Sequence, residues 1–148
     1  MKKFLCLVMA LLFLAGSACA ASEVGVLSIP SACISVALFD SAEQAVVDEP
    51  NSAAFFWGGS WIIADHNNQA FKSLKDVAVG DAATIYHTDG SRIRLVCVDK
   101  YNGKNTGHEL VDASGHNVMA DHAYLMYTCR IKGFGARHII ITQWEVYE

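Results

Sequence analysis

The chain has 148 residues, of which 53% are hydrophobic and 18% charged, and its formal net charge at pH 7 is −4. This length and apolar content fit one compact domain. With only two prolines, they exclude a disordered, collagen-like or coiled-coil chain. The negative charge argues against a nucleic-acid partner.

Residues 1–20 have the form of a secretory signal peptide. Lys2 and Lys3 precede an apolar run over residues 4–15, and Ala18-Cys19-Ala20 has the small-x-small form of a cleavage site. Removing this segment takes away two basic residues, so the remaining chain carries a net charge of −6. The segment predicts that the protein is exported.

Two alternatives to a cleaved signal remain open. The uncharged stretch over residues 4–22 is nearly long enough to cross a bilayer, so residues 1–20 can instead serve as an N-terminal membrane anchor. Lipidation at Cys19 is the other alternative. In each case we expect one domain over residues 21–148, secreted or held at the extracellular face of the plasma membrane, with the membrane touching only the N-terminal segment.

Short runs rich in β-branched and aromatic residues recur after residue 20, and such runs are typical of strands. The predicted strands cover residues 24–29, 34–39, 61–64, 82–86, 93–98, 124–129 and 138–144. A short helix is expected at residues 42–47 and a turn or short helix at residues 69–75. Asp89-Gly90 predicts a hairpin, because glycine accepts the positive φ that such a turn needs.

Residues 102–121 are rich in Gly, Asn, Asp and His and are expected to form a long loop, with one short strand at Leu110-Val111. Many short strands with few helices predict a mostly-β protein, either a barrel or a sandwich.

Three cysteines lie beyond the signal-like segment: Cys33, Cys97 and Cys129. An odd number in an oxidising compartment leaves at least one thiol free. Cys33 and Cys97 fall within apolar runs and are expected to be inert core thiols, with a disulfide as the alternative.

Cys129, His66 and Arg137 form the candidate catalytic site. Cys129 ends one predicted strand, His66 follows another, and Arg137 directly precedes a third. A thiol needs a basic or cationic neighbour to react at neutral pH. A guanidinium favours the thiolate and can donate hydrogen bonds to an oxyanion. An imidazole can protonate a leaving amine.

The segments around these residues resemble motifs of one enzyme family. They are Leu27-Ser28-Ile29-Pro30-Ser31-Ala32-Cys33-Ile34-Ser35-Val36, Ile62-Ile63-Ala64-Asp65-His66 with the following Phe71, Leu74 and Gly80-Asp81, and Leu125-Met126-Tyr127-Thr128-Cys129. Together with Arg137 they resemble the sortases, the cysteine transpeptidases of Gram-positive cell surfaces. The order His, Cys, Arg also agrees with that family.

The resemblance implies a closed sortase-like β-barrel with short helices and long connecting loops. It implies that Cys129 attacks a threonyl peptide bond in the sorting signal of a surface protein and forms a thioacyl enzyme, which an amine of the cell wall or a pilin resolves. His66 would protonate the leaving amine, and Arg137 would stabilise the oxyanion or hold the peptide. No cofactor or metal is implied. The alternatives are a non-catalytic exported binding module and a cysteine peptidase that uses water.

Asp65 departs from the family pattern, in which glycine usually precedes the histidine. Its carboxylate either faces His66 and favours the imidazolium, or it faces solvent or caps the turn over residues 67–69.

Two further groups of residues carry weaker signals. His108, Glu109, Asp112, His116, Asp121 and His122 could ligate a metal, but their spacing matches no compact ligand motif, so a polar loop is expected. Trp57, Trp61 and Trp144 are expected to fill the core, with a groove lining as the alternative.

Overall fold

A computed structural model of the chain describes residues 21–129 and 138–148. The predicted signal segment and Arg137 therefore lie outside the described residues. The strands are β1 (Glu23–Ile29), β2 (Ile34–Asp40), β3 (Ser52–Trp57), β4 (Trp61–Ala64), β5 (Ala82–His87), β6 (Arg92–Asn105), β7 (Leu110–Val111), β8 (Tyr124–Cys129) and β9 (His138–Val146). The helices are α1 (Gln44–Asp48) and the 3-10 helices Pro30–Ala32, Ala70–Asp76 and Val118–Asp121.

Eight of these strands close into a barrel. Their order is β5-β1-β2-β3-β4-β8-β9-β6, and pairing between β5 and β6 completes the ring. The short strand β7 pairs with the C-terminal end of β6. All neighbouring pairs are antiparallel except β2 with β3 and β4 with β8. The expected mostly-β closed barrel with short helices is confirmed.

The two parallel pairs determine where the connections run. Parallel neighbours need a crossover that returns the chain to the same end of the sheet. The crossover from β2 to β3 contains α1, and the crossover from β4 to β8 contains β5, β6 and β7. The crossover from β2 therefore brings the chain to the end of the barrel where β4 finishes, and the crossover from β4 returns the chain to the end where β4 and β8 begin.

The barrel interior is filled by inward-facing side chains, since successive residues of a strand point to opposite faces. The interior cluster comprises Leu27, Ile29, Ala32, Ile34, Val36, Leu38, Ala53, Phe55, Ile63, Phe71, Leu74, Val77, Ala83, Ile85, Leu95, Cys97, Met126 and Trp144. Phe71 and Leu74 come from the 3-10 helix Ala70–Asp76, which closes the barrel beside the end of β4.

A second apolar cluster lies on the outer face of β4, β8 and β9. It comprises Ile62, Leu110, Val118, Leu125, Ile139 and Ile141. The chain from β7 to the 3-10 helix Val118–Asp121 covers part of this face through Leu110 and Val118. We call this the outer cluster.

The hairpin expected at Asp89-Gly90 is confirmed. Gly90 has φ 87°, and the His87 amide donates to the Ser91 carbonyl at 2.9 Å. β6 continues to Asn105, so the loop expected over residues 102–121 begins only at residue 106. The short strand at Leu110–Val111 is present.

β3 was not among the predicted strands. Its first residues, Ser52 to Phe55, are all buried, so the polar and apolar alternation typical of a half-exposed strand is absent. The aromatic run Phe55-Phe56-Trp57 was the signal available in the sequence.

The prediction that Cys33 is a core thiol is wrong. Cys33 is exposed and follows the 3-10 helix Pro30–Ala32 with φ 53°, in the left-handed region, so its side chain leaves the interior. Cys97 is buried, as expected, and both thiols are free.

Within residues 21–129 and 138–148, no helix combines the length and the apolar composition that a bilayer crossing requires.

Candidate active site

His66 and Cys129 lie at the ends of adjacent parallel strands. β4 pairs with β8 in a register that places Ala64 opposite Tyr127. His66 is two residues beyond Ala64, and Cys129 is two residues beyond Tyr127. The parallel register therefore brings the two residues to the same level of the barrel.

Strand alternation assigns the two residues to one face. On β8, Leu125 belongs to the outer cluster and Met126 to the interior, so Cys129 shares the outer face with Leu125. On β4, Ile62 is outer and Ile63 is interior. The same alternation, continued past the strand end, turns Asp65 inward and His66 outward.

A side-chain hydrogen bond joins the two strand ends directly. The buried Thr128 hydroxyl donates to the Asp65 carbonyl at 2.8 Å, across 63 residues of sequence. Thr128 precedes Cys129 and Asp65 precedes His66. The bond fixes the backbone beside both candidate catalytic residues.

The Asp65 carboxylate caps the turn that follows β4. It is 5% exposed, and it accepts from the backbone N–H groups of His66 at 2.7 Å and Phe71 at 3.3 Å. Burial outweighs these hydrogen bonds and raises the pKa of Asp65 to about 6. Of the alternatives for Asp65, a solvent-facing carboxylate is wrong because the residue is buried, and its contacts favour the capping role.

The His66 imidazole contacts a different carboxylate. Its Nε2 lies 2.9 Å from Oδ1 of Asp48, at the end of α1. Gln44 Nε2 lies 2.9 Å from the same oxygen and 3.3 Å from the imidazole nitrogen. These hydrogen bonds hold the pKa of Asp48 below its ordinary value.

The Cys129 thiol is half-buried. Desolvation raises its pKa above the ordinary value, so the described surroundings favour the thiol over the thiolate. Arg137, the expected cationic neighbour, lies outside the described residues. It directly precedes β9, whose Ile139 pairs with Cys129, and its role stays a prediction.

Alkylation by iodoacetamide tests how the three thiols differ. Because Cys33 is exposed, we expect it to label alongside Cys129, so the measurement uses Cys33→Ser, in which Cys129 labels and buried Cys97 does not. Peptide mapping locates the label. The rate at Cys129 should keep rising beyond pH 8.5, the ordinary thiol pKa being about 8.5. A plateau at lower pH would show that a cation outweighs burial.

Four of the remaining polar candidates, Glu109, Asp112, His116 and Asp121, make local side-chain contacts in the loop before β8. His116 Nε2 lies 2.8 Å from Asp121, which raises the pKa of His116, and Asn117 donates to Glu109 at 3.2 Å. Among the described residues, no group of three or more His, Cys, Asp or Glu side chains is arranged to hold a metal ion.

The tryptophans divide between core and surface. Trp144 is fully buried, whereas Trp57 and Trp61 are 56% and 39% exposed and pack edge to face. Core filling is thus the wrong prediction for these two. They pair where β3 ends and β4 begins, at the opposite end of β4 from His66, so they lie away from the candidate site.

Sequence reasoning did not single out Asp48 or Thr128 as part of the site. Thr128 carried an available signal, its position directly before the candidate nucleophile. Asp48 carried none, because only the crossover between β2 and β3 brings it to His66.

These observations define a closed eight-stranded barrel with a cysteine and a histidine at neighbouring parallel strand ends. No family model and no curated protein matches the sequence. Solved structures do match this protein in fold. Sortase C1 from Streptococcus agalactiae has a TM-score of 0.65 and 16% identity, over 85% of this chain and 68% of that one. Sortase A from Corynebacterium diphtheriae has a TM-score of 0.66 and 14% identity, over 86% and 62%.

Sortase C from Clostridium perfringens SM101 is similar as well, with a TM-score of 0.64 and 10% identity over 86% of this chain and 71% of that one. The chain therefore has the sortase fold.

Proposed function

We propose that this protein is a cysteine transpeptidase of the sortase type. The observation that carries the proposal is the bond from Thr128 to the Asp65 carbonyl, because it joins the residue before Cys129 to the residue before His66 on a sortase fold. A thiol and an imidazole on one outer face are the groups that acyl transfer through a thioester requires.

Cys129 acts as the nucleophile. The thiol passes its proton to His66, the sulfur bonds to the carbonyl carbon of a threonyl peptide bond, and the carbon–nitrogen bond of that peptide breaks. His66 gives that proton to the leaving amine as general acid. An incoming amine then attacks the thioester, its surplus proton passes through His66 to the departing sulfur, and the thiol of Cys129 is restored. Arg137 is proposed to donate hydrogen bonds to the oxyanion.

The half-buried position of the Cys129 thiol is compatible with these proposed roles of His66 and Arg137. Burial raises the pKa of Cys129, so an electrophile that reaches the free enzyme meets less thiolate than an exposed cysteine would present. A bound peptide that excludes water and places its carbonyl beside Cys129 strengthens the interactions with His66 and Arg137.

The proposed partners follow from the reaction. The acyl donor is the sorting signal of a surface protein, and the acceptor is an amine of the cell wall or of a pilin. One solved relative in fold is a pilus-related sortase C of Group B Streptococcus. Residues 1–20 would deliver the domain to the outside of the cell or anchor it at the extracellular face of the membrane.

The intact mass of the protein after incubation with threonine-containing sorting peptides tests the proposal. We expect an adduct equal to the acyl fragment on Cys129, absent in Cys129→Ala and retained in Cys33→Ser. His66→Ala should slow its formation by about 10²- to 10⁴-fold, the usual worth of general acid catalysis.

The fate of the adduct separates the three functional classes. Transfer to an added amine supports the transpeptidase, and loss to water without an amine indicates a peptidase. Peptide binding without an adduct would indicate a non-catalytic binding module and would contradict the proposal.

A further inference from the structure

We infer that Asp48 is the positioning residue for His66, holding the imidazole so that Nδ1 is the nitrogen that exchanges protons with the reacting groups. The inference rests on the proposed function of His66. It concerns a carboxylate on α1 that lies 18 residues before the histidine and outside every motif that the sequence suggested.

The contact itself determines which nitrogen is occupied. Asp48 Oδ1 lies 2.9 Å from His66 Nε2. An ionised carboxylate only accepts hydrogen bonds, so the hydrogen must sit on Nε2. The lowered pKa of Asp48 keeps this carboxylate ionised at neutral pH.

Gln44 completes the arrangement. Its amide nitrogen lies near both Asp48 and the imidazole Nε2. Since Nε2 already carries a hydrogen, it has no lone pair to accept from the amide. The Gln44 amide therefore donates to Asp48 at 2.9 Å and holds the carboxylate in place for the imidazole.

Gln69 holds α1 against the turn that carries His66. The Gln69 side chain donates to the carbonyl of Val47, the residue before Asp48, at 3.0 Å. The Gln69 backbone amide donates to the His66 carbonyl at 3.2 Å. One residue thus links the end of α1 to the turn that carries the imidazole.

Two carboxyl groups lie next to His66, and their roles differ. Asp65 accepts from backbone N–H groups and is buried. Asp48 contacts the imidazole and is 59% exposed. A solvent-exposed pair adds little to folding stability, so the value of the Asp48 contact lies in orienting the ring. With Nε2 occupied, Nδ1 is the nitrogen left for proton transfer.

The matched variants are Asp48→Ala, Asp48→Asn and the control Glu49→Gln, which removes a neighbouring exposed carboxylate. The first measurement is the imidazole N–H resonance of His66 by ¹H–¹⁵N NMR, assigned by its loss in His66→Ala. We expect a downfield proton on Nε2 in the parent and in Glu49→Gln, and its loss in Asp48→Ala.

The second measurement is the single-turnover rate of thioacyl formation with a sorting peptide. We expect Asp48→Ala to lower this rate about 10- to 100-fold, as misplacement of a reacting group does, with little change in the peptide concentration at half-saturation. Asp48→Asn, whose amide oxygen can accept the same hydrogen bond, should keep more of the rate. Glu49→Gln should match the parent.

The outcomes distinguish this inference from the proposed function. If the parent acylates and Asp48→Ala acylates as fast or faster, the positioning role is overturned and the contact is neutral or inhibitory. If Nε2 lacks a bonded proton in the parent, the assigned tautomer is wrong. If the parent forms no thioacyl enzyme with any sorting peptide, the proposed function fails and the catalytic role of Asp48 fails with it.

Discussion

Asp65→Asn is expected to gain about 3 kcal/mol of stability relative to the parent protein as the pH rises from 4 to above 6. Burial raises the pKa of Asp65 from 3.8 to about 6. The folded state therefore binds this proton more tightly than the unfolded state does. As pH rises through this window, ionisation of the buried carboxyl destabilises the folded protein.

The asparagine variant isolates this one group. Near pH 4 the protonated Asp65 and the amide are both uncharged, so any difference in stability there reports the amide NH2, which cannot accept from a backbone N–H as a carboxyl oxygen does. Above pH 6 only the parent carries the buried charge. Asp48, Asp81, Asp89 and Asp112, whose pKa values are lowered, give the opposite pH dependence but cancel in the difference between parent and variant.

Urea unfolding of both proteins from pH 4 to pH 7.5 measures the difference in the free energy of unfolding. If the stability of Asp65→Asn relative to the parent instead falls from pH 4 to pH 7.5, the backbone hydrogen bonds to the carboxylate outweigh its burial, and the direction of the pKa shift is wrong.

Trp144→Ala is expected to destabilise the protein by about 3 to 5 kcal/mol, the usual cost of truncating a buried aromatic residue. Trp144 has no exposed surface and lies in the interior cluster. In the sheet it pairs with Tyr124 of β8 on one side and with Cys97 of β6 on the other. Its loss leaves a cavity that three adjoining strands cannot fill without breaking their pairing.

The indole also begins a buried chain of two hydrogen bonds. Trp144 Nε1 donates to the Thr142 hydroxyl at 2.8 Å, and that hydroxyl donates to the Met126 carbonyl at 3.3 Å. Trp144→Phe keeps most of the ring volume and should cost less than the alanine variant. Thermal or urea unfolding measures both. Equal costs would show that the N–H bond, rather than the ring volume, dominates.

The sequence predicted the ends of several strands, but the predicted strand over residues 93–98 stops seven residues before the end of β6. Polar residues interrupt the apolar runs after Ala64 and at Asp89, so β4 and the hairpin between β5 and β6 were expected from local composition, and β8 was bounded correctly at Cys129. Which ends become neighbours is a long-range property. The partner of Asp65 in the structure, Thr128, is 63 residues away, and no local pattern encodes that pairing.

Three further features were not predicted from the sequence: the strand β3, the exposure of Cys33 and the contact of Asp48 with His66. β3 is buried along its first residues and lacks alternation. Cys33 sits in an apolar run, yet the 3-10 helix before it turns its side chain to solvent. Asp48 reaches His66 only because β2 and β3 are parallel, and the orientation of a strand pair is invisible to composition.

Closure of the barrel also constrains how a peptide can bind. Over residues 21–129 and 138–148, each barrel strand has two neighbours, and the one strand at an edge, β7, has two residues and a bridge from Val111 to Asn117. Along β4 and β8, whose ends carry His66 and Cys129, an extended peptide therefore finds no free sheet edge on which to add as another strand. At this site its main chain must be bound by side chains and loops, so selectivity in the proposed reaction depends on surface residues that can change without disturbing the barrel.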